Sequence, residues 1–287
     1  VIRKFLGAIA LSLATALPGA ADPLAKDVFG SVPGPTGGNP AAIGFYSKGC
    51  ISGAVALPES GPTWQAMRLS RHRNWGHPEL VGFLIGLSKA ARQAGWQGLY
   101  IGDMSQARGG PMVTGHASHQ MGLDADIWML PPQSLRLSPA QREKLSSVSV
   151  VNRAGTAPSG YWSPSHMAII RAAARDPRVE RIFIDPVAKV AMCQMETGNR
   201  AWLRKVRPIN GHDYHFHVRL GCPAGSVCQQ QDAPPRGDGC EEAADWIRNR
   251  IDPSRVKPVP PDPNYRHPRT YRLSEMPRQC QATALAR

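Results

Sequence analysis

The chain of 287 residues lacks the signatures of several common hydrolases. No Cys-x-x-Cys pair occurs, so a thiolate zinc clamp is excluded. There is no Gly-x-Ser-x-Gly elbow to expose a serine nucleophile, and no His-Glu-x-x-His helix of the thermolysin type. No dense Lys/Arg block, internal repeat or low-complexity tract stands out. After the apolar run Phe5 to Leu17, nothing is long and apolar enough to span a bilayer. Acidic residues are few, 21 against 34 Lys and Arg, for a formal net charge of +13. That balance favours a polyanionic partner such as nucleic acid, anionic lipid or an anionic cell wall, and serves solubility equally well.

What is present points to export. Arg3 and Lys4, the apolar run and the small residues Pro18-Gly19-Ala20-Ala21 read as a signal peptide over residues 1–21. Six cysteines follow it, an even number that suits three disulfides in an oxidising compartment. Cys222 and Cys228 are near enough in sequence to bridge locally. Export also argues against a genomic nucleic-acid partner. Hydrophobic residues make up 42%, enough for a real core, while 28 Gly and 27 Pro predict a loop-rich fold.

Residues 22–45 read as an extended, Gly/Pro-rich lead-in. Helical spacing of Leu80, Val81, Leu84, Ile85 and Leu87 predicts a helix over 78–93. Ser138-Pro139 and Ser163-Pro164 each place a cap before a proline at the first helical position, and the second of these helices should end before Asp176-Pro177. Strands are predicted over 98–103, 179–184 and 215–220. Beyond Cys222 prolines cluster, and only 243–248 reads as regular helix. The expected fold class is α+β: an antiparallel sheet core with flanking helices and long disulfide-pinned loops. Residues 22–245 are expected to form one domain that carries the function, and 246–287 a Pro-rich tail packed on it.

Five of the nine histidines fall in two clusters, Gly115-His116-Ala117-Ser118-His119 and His212-Asp213-Tyr214-His215-Phe216-His217. His119 and Asp126 are joined through Gly122, which lets the chain turn. His215 and His217 share one face of a strand. Catalytic zinc takes about three protein ligands and keeps an open position. His119, Asp126 and one histidine of the second cluster supply such a set. His212 and His215 are available for proton transfer. His116 is an extra ligand or an orienting neighbour. The isolated His72, His77, His166 and His267 read as structural. Tyr214, Trp128 and Arg207 line the substrate groove or pack.

The stretch from Gly115 to Asp126, followed by His-x-x-His-x-His, closely resembles the penicillin-insensitive murein endopeptidases, relatives of the D-Ala-D-Ala peptidases and lysostaphin-type enzymes. Gly76-His77-Pro78, Ile101-Gly102-Asp103-Met104, Trp202 to Pro208 and Gly237-Asp238-Gly239-Cys240 extend the likeness over roughly residues 45–245. The resemblance implies zinc on His119, Asp126 and His217, with His116 beside them, and His212 and His215 in catalysis. It implies disulfides 50–280, 193–240 and 222–228. It further implies hydrolysis of the D-alanyl–meso-diaminopimelyl amide that cross-links peptidoglycan, in the periplasm of a Gram-negative cell. A metal-activated water offers penicillin no nucleophile to acylate. A D,D-carboxypeptidase and a wall-binding module with a structural zinc are the alternatives.

Two departures matter. Carboxypeptidase relatives carry a Glu three residues before the last histidine ligand, where this chain has Tyr214. Some murein endopeptidases carry an Asp and a His for a further metal at a dimer contact; the matching stretch, Arg153 to Ala157, has neither. A homodimer is left open.

Overall fold

A computed structural model describes residues 21–286. The expected signal segment lies almost wholly outside them. Among the described residues, no helix is long and apolar enough to cross a membrane.

The centre is a seven-stranded sheet. Its middle four strands run antiparallel in the order Val179–Ile184, His215–Leu220, Asp124–Trp128 and Leu99–Ile101. Val206–Pro208 adds to one side in parallel, and Trp64–Ala66 adds to the other in parallel. The α+β class therefore holds, with parallel pairings at the flanks of an antiparallel middle.

The strands alternate in chemistry. On His215–Leu220, Phe216, Val218 and Leu220 enter the main core, while His215, His217 and Arg219 face the other way. Asp124–Trp128 does the same, with Ala125 and Ile127 in the core and Asp124 and Asp126 opposite. Every residue of both strands is buried, so the polar face is covered as thoroughly as the apolar one.

Helices Pro78–Gln93 and Pro164–Arg175 cover the apolar face. Leu80, Leu84, Met167, Ile170 and their neighbours fill the space between. Each such side chain contributes about 1.5–3 kcal/mol on full burial. The first helix occupies the expected residues, and the second ends at Arg175, before the Asp-Pro pair as expected. The short helix Pro139–Lys144 carries the full capping box, Ser138 with Gln141.

On the side of the polar face lie segments near both ends of the described residues, with Arg219 over the ring of Tyr46 at 4.0 Å. The lead-in is not simply extended: it forms the helix Ala25–Gly30 and then a hairpin, Ala41–Phe45 with Lys48–Ser52. Gln120 locks this hairpin to the loop bearing His119, accepting from Gly49 N at 3.1 Å and donating to Ser47 O at 2.9 Å. The C-terminal helix Arg278–Leu285 is bonded to the hairpin through Cys50–Cys280. Arg108 donates to the carbonyls of Thr283, Ala284 and Ala286, satisfying the open end of that helix. Cys193–Cys240 joins helices Pro186–Met195 and Cys240–Ile251, and Cys222–Cys228 closes a short loop. All three pairings are those implied by the resemblance.

One glycine decides the path to the site. Gly122 has φ +67, and a Cβ there would meet Ile51 Cδ1 at 2.6 Å and His77 N at 3.0 Å. Gly122→Ala therefore forces both a left-handed alanine and a clash in the turn between His119 and Asp126. The expected loss of stability is more than about 1 kcal/mol, read by thermal denaturation.

Candidate metal centre

Three side-chain atoms meet on the polar face of the sheet. His119 Nε2 lies 3.1 Å from His217 Nδ1 and 3.4 Å from Asp126 Oδ1. His217 Nδ1 lies 3.3 Å from the same oxygen. The register His217 opposite Asp126 sets the last of these distances. His119 comes from the loop before, with its backbone in the left-handed region at φ +66. Such a conformation in a non-glycine residue costs on the order of 1–3 kcal/mol and needs support. Asp124 supplies it, accepting from His119 N at 3.0 Å.

The partners of the two rings fix their tautomers. His119 Nδ1 is 2.7 Å from the Met104 carbonyl, which only accepts, so Nδ1 carries the proton. His217 Nε2 donates to Asp124 Oδ1 at 2.8 Å. With both rings uncharged, as metal ligation requires, the inward nitrogens are bare acceptors facing a carboxylate oxygen; without a metal, Asp124 and Asp126 overcome burial and raise the pKa of His217. Asp126 Oδ1 is buried without any hydrogen-bond partner. Three acceptors facing one another without a donor repel, and a cation is what such a set fits. The spacing fits too: zinc bonds of about 2.0–2.1 Å in a tetrahedron place neighbouring donors roughly 3.3–3.4 Å apart. His119, His116 and Asp126 also form a group able to hold a metal.

Asp124 is the residue that sequence reasoning passed over. Fully buried, it holds His217, the His119 backbone and Arg219 Nε, the last at 2.7 Å. Burial alone would raise its pKa; Arg219 and His217 outweigh that and hold it well below the usual carboxylate range. Asp103 was missed as well. Its Oδ2 accepts from Arg71 at 3.0 Å and Arg73 at 2.9 Å, and sits 3.1 Å from His116 Nε2. Burial would raise its pKa as well, but the His116 hydrogen bond and the two arginines pull it well down. The same His116 nitrogen is 3.4 Å from Asp126 Oδ2. Alternation on 124–128 puts Asp124 and Asp126 on one face, a signal that could have revealed the former.

His215 opens onto a cleft of about 570 Å³ together with Asp126, Trp128, Tyr214 and three arginines. Its Nε2 is 3.5 Å from Asp126 Oδ1, and its ring centroid is 4.7 Å from that of His212. Burial lowers the pKa of His215 and pushes His212 down to about 4. Tyr214 is 47% exposed and packs on the edge of His215. Its pKa is raised, chiefly by burial, so it keeps its proton. Arg207 is not in the cleft but pairs with Glu242. Three isolated histidines have capping roles: His77 accepts from Glu79 N and His267 from Arg269 N, and His166 accepts from Ser163 N.

The model of the penicillin-insensitive murein endopeptidase family matches residues 42–284. The chain belongs to this family of peptidases. Proteins named penicillin-insensitive murein endopeptidase are similar over most of their length. That of Haemophilus influenzae is 41% identical over 231 residues, 79% of this chain and 81% of the relative. That of Klebsiella pneumoniae subsp. pneumoniae is 41% identical over 271 residues, 93% and 94%. An Escherichia coli relative is 40% identical over 251 residues, 86% and 87%. In the stretch 153–157 the Gly155 carbonyl accepts from Arg250 at 2.7 Å. Arg250 also binds Asp185 Oδ2 at 2.9 Å and Asn210 Oδ1 at 2.6 Å, tying that stretch to the loop before His212.

Proposed function

We propose that this protein is a zinc-dependent murein endopeptidase that hydrolyses the D-alanyl–meso-diaminopimelyl amide cross-links of peptidoglycan. The observation that carries the reading is the convergence of His119 Nε2, His217 Nδ1 and Asp126 Oδ1 within 3.1 to 3.4 Å of one another, with the outer ring nitrogens engaged by the Met104 carbonyl and Asp124. Those three would hold the zinc, and His116 is the further donor beside Asp126. When bound, zinc supplies hydroxide at neutral pH and polarises a substrate carbonyl.

The chain's own residues do the rest. Asp124 and the Met104 carbonyl hold the two ligand rings in the tautomers that leave their inward nitrogens free. His215 and His212, both uncharged at neutral pH, accept a proton and return one to the leaving amine. Tyr214 stands where a carboxylate base would need to be and remains protonated, so the proton work falls to the histidines. Trp128 and Tyr214 shape the cleft wall. We assign the catalytic unit to residues 22–245, with 246–287 packed on it. The predicted signal and three disulfides support action in the periplasm.

Purified cross-linked muropeptide dimer and uncross-linked monomer, digested separately and resolved by chromatography, test this reading. The dimer should fall to monomers with 1,10-phenanthroline-sensitive kinetics, while the monomer keeps its terminal D-Ala. Loss of D-Ala from the monomer with an intact dimer would replace the endopeptidase by a D,D-carboxypeptidase.

A further inference from the structure

One wall of the cleft is cationic, and its construction is unusual. Arg68, Arg71 and Arg73 all line it. They sit just before, on and just after a single 3-10 turn, Leu69–Arg71, whose flanking residues Arg68 and His72 are both left-handed, at φ 57 and 52. Non-glycine residues hold that conformation only where the surroundings enforce it. Glu143 does so here, accepting from Ser70 N at 2.8 Å and Ser70 Oγ at 2.9 Å. The turn is thus pinned from outside, and its arginines line the cleft.

The three guanidiniums are not equivalent. Arg73 is occupied, donating to Asp103 Oδ2 at 2.9 Å, the Thr114 carbonyl at 2.9 Å and Thr114 Oγ1 at 3.1 Å. Arg71 shares Asp103 at 3.0 Å, and its side chain is 49% exposed. Arg68 has no ion-pair partner among the described residues; it touches Ser146 Oγ at 3.4 Å and lies 5.8 Å from the centroid of Trp128. The cleft lining therefore holds three guanidiniums against two carboxylates, Asp103 and Asp126. An anionic group is the complement, and a planar carboxylate matches the guanidinium fork.

The wall adjoins the reacting centre. From Arg71, contacts run to Asp103 at 3.0 Å, from Asp103 to His116 at 3.1 Å, and from His116 to Asp126 at 3.4 Å. In the amide named above, the leaving nitrogen is bonded to the carbon that also bears a carboxylate. That carboxylate must enter the cleft with the scissile bond. We propose that Arg68 and Arg71 bind this carboxylate and so select cross-links in which it is free over those in which it is a carboxamide. The proposal rests on the endopeptidase reading for the substrate, and on the pinned arginine turn for the contact.

Three synthetic dimers test it: one unmodified, one with a carboxamide beside the scissile nitrogen, and one with a carboxamide at the glutamyl carboxylate of the donor stem. The first amidation should lower kcat/KM by about 10- to 100-fold, the scale of a hydrogen bond to a charged group, and the second should not. In Arg68→Gln the preference should shrink to within about threefold, and Arg68→Lys should retain part of it. Calorimetric titration of the His215→Ala protein with the same dimers reads binding without turnover. Tighter binding of the free acid, lost on adding Arg68→Gln, is expected. If no dimer is cleaved but this binding difference persists, the endopeptidase reading fails and the carboxylate contact stands. Equal affinity for acid and carboxamide, or sensitivity to the glutamyl amidation alone, overturns the proposal.

Discussion

Under the zinc reading proposed above, asparagine in place of Asp126 should strip the metal from the protein, abolish turnover by at least about a thousandfold, and destabilise the metal-free fold as well. The sign of the last effect follows from the charges around Asp126. Burial would raise its pKa, but His215, His119 and His116 outweigh that and hold it well below the usual carboxylate range. Against the same burial, Asp124 and Asp126 raise the pKa of His217. A neutral amide gives up that attraction between buried groups, a loss on the order of 1 kcal/mol or more. A loss of about 1 kcal/mol in a domain of this size lowers the melting temperature by about 2–4 °C. The wild type should gain stability when zinc is added, and Asp126→Asn should not. Elemental analysis and thermal denaturation with and without chelator read both effects. An Asp126→Asn protein that keeps stoichiometric zinc and full activity would remove Asp126 from the ligand set.

The contrast between the clustered residues and their supports explains what the sequence made legible. His119, Asp126, His215 and His217 are visible because short spacings place them together: a turn at Gly122 and a two-residue strand period. Helices Pro78–Gln93 and Pro164–Arg175 are visible for the same local reason, a cap, a proline and a 3.6-residue repeat. Asp103 and Asp124 act through partners far along the chain. Asp103 meets Arg71 and Arg73 on one side and His116 on the other, and Asp124 meets His217 across a strand pair. No local pattern encodes those pairings. Helix Pro186–Met195 was missed for a different reason. Asp185-Pro186 directly follows the strand Val179–Ile184, and such a pair marks a strand end as readily as a helix start; here Asp185 caps the next helix, accepting from Val187 N at 2.8 Å. The helix in the lead-in, Ala25–Gly30, is only six residues and owes its place to packing of Ala25 and Phe29 against Leu273 and Met276.

Alanine at His215 should separate the proton work from the metal. The ring lies in the cleft with Nε2 3.5 Å from Asp126 Oδ1, longer than the contacts of 3.1 to 3.4 Å among the other three donors. Removing it leaves His119, His217 and Asp126, and with them Asp124 and the Met104 carbonyl that orient the rings. Zinc content should therefore stay near the wild-type value while kcat on the muropeptide dimer falls by about 10²- to 10⁴-fold, the usual contribution of one general acid–base group. KM should change little, because Trp128, Tyr214 and the arginine wall remain. His212 should behave similarly but not independently. Its ring lies tilted at 45° and 4.7 Å from that of His215, and burial holds its pKa at about 4, so it is an uncharged neighbour of that ring. The double variant His212→Ala/His215→Ala should then be little worse than the more damaging single change, as expected for groups that act as one unit. Full additivity, with each loss multiplying the other, would mean that the two histidines serve separate steps. Loss of zinc in the His215→Ala protein would instead move His215 from proton transfer into the ligand set.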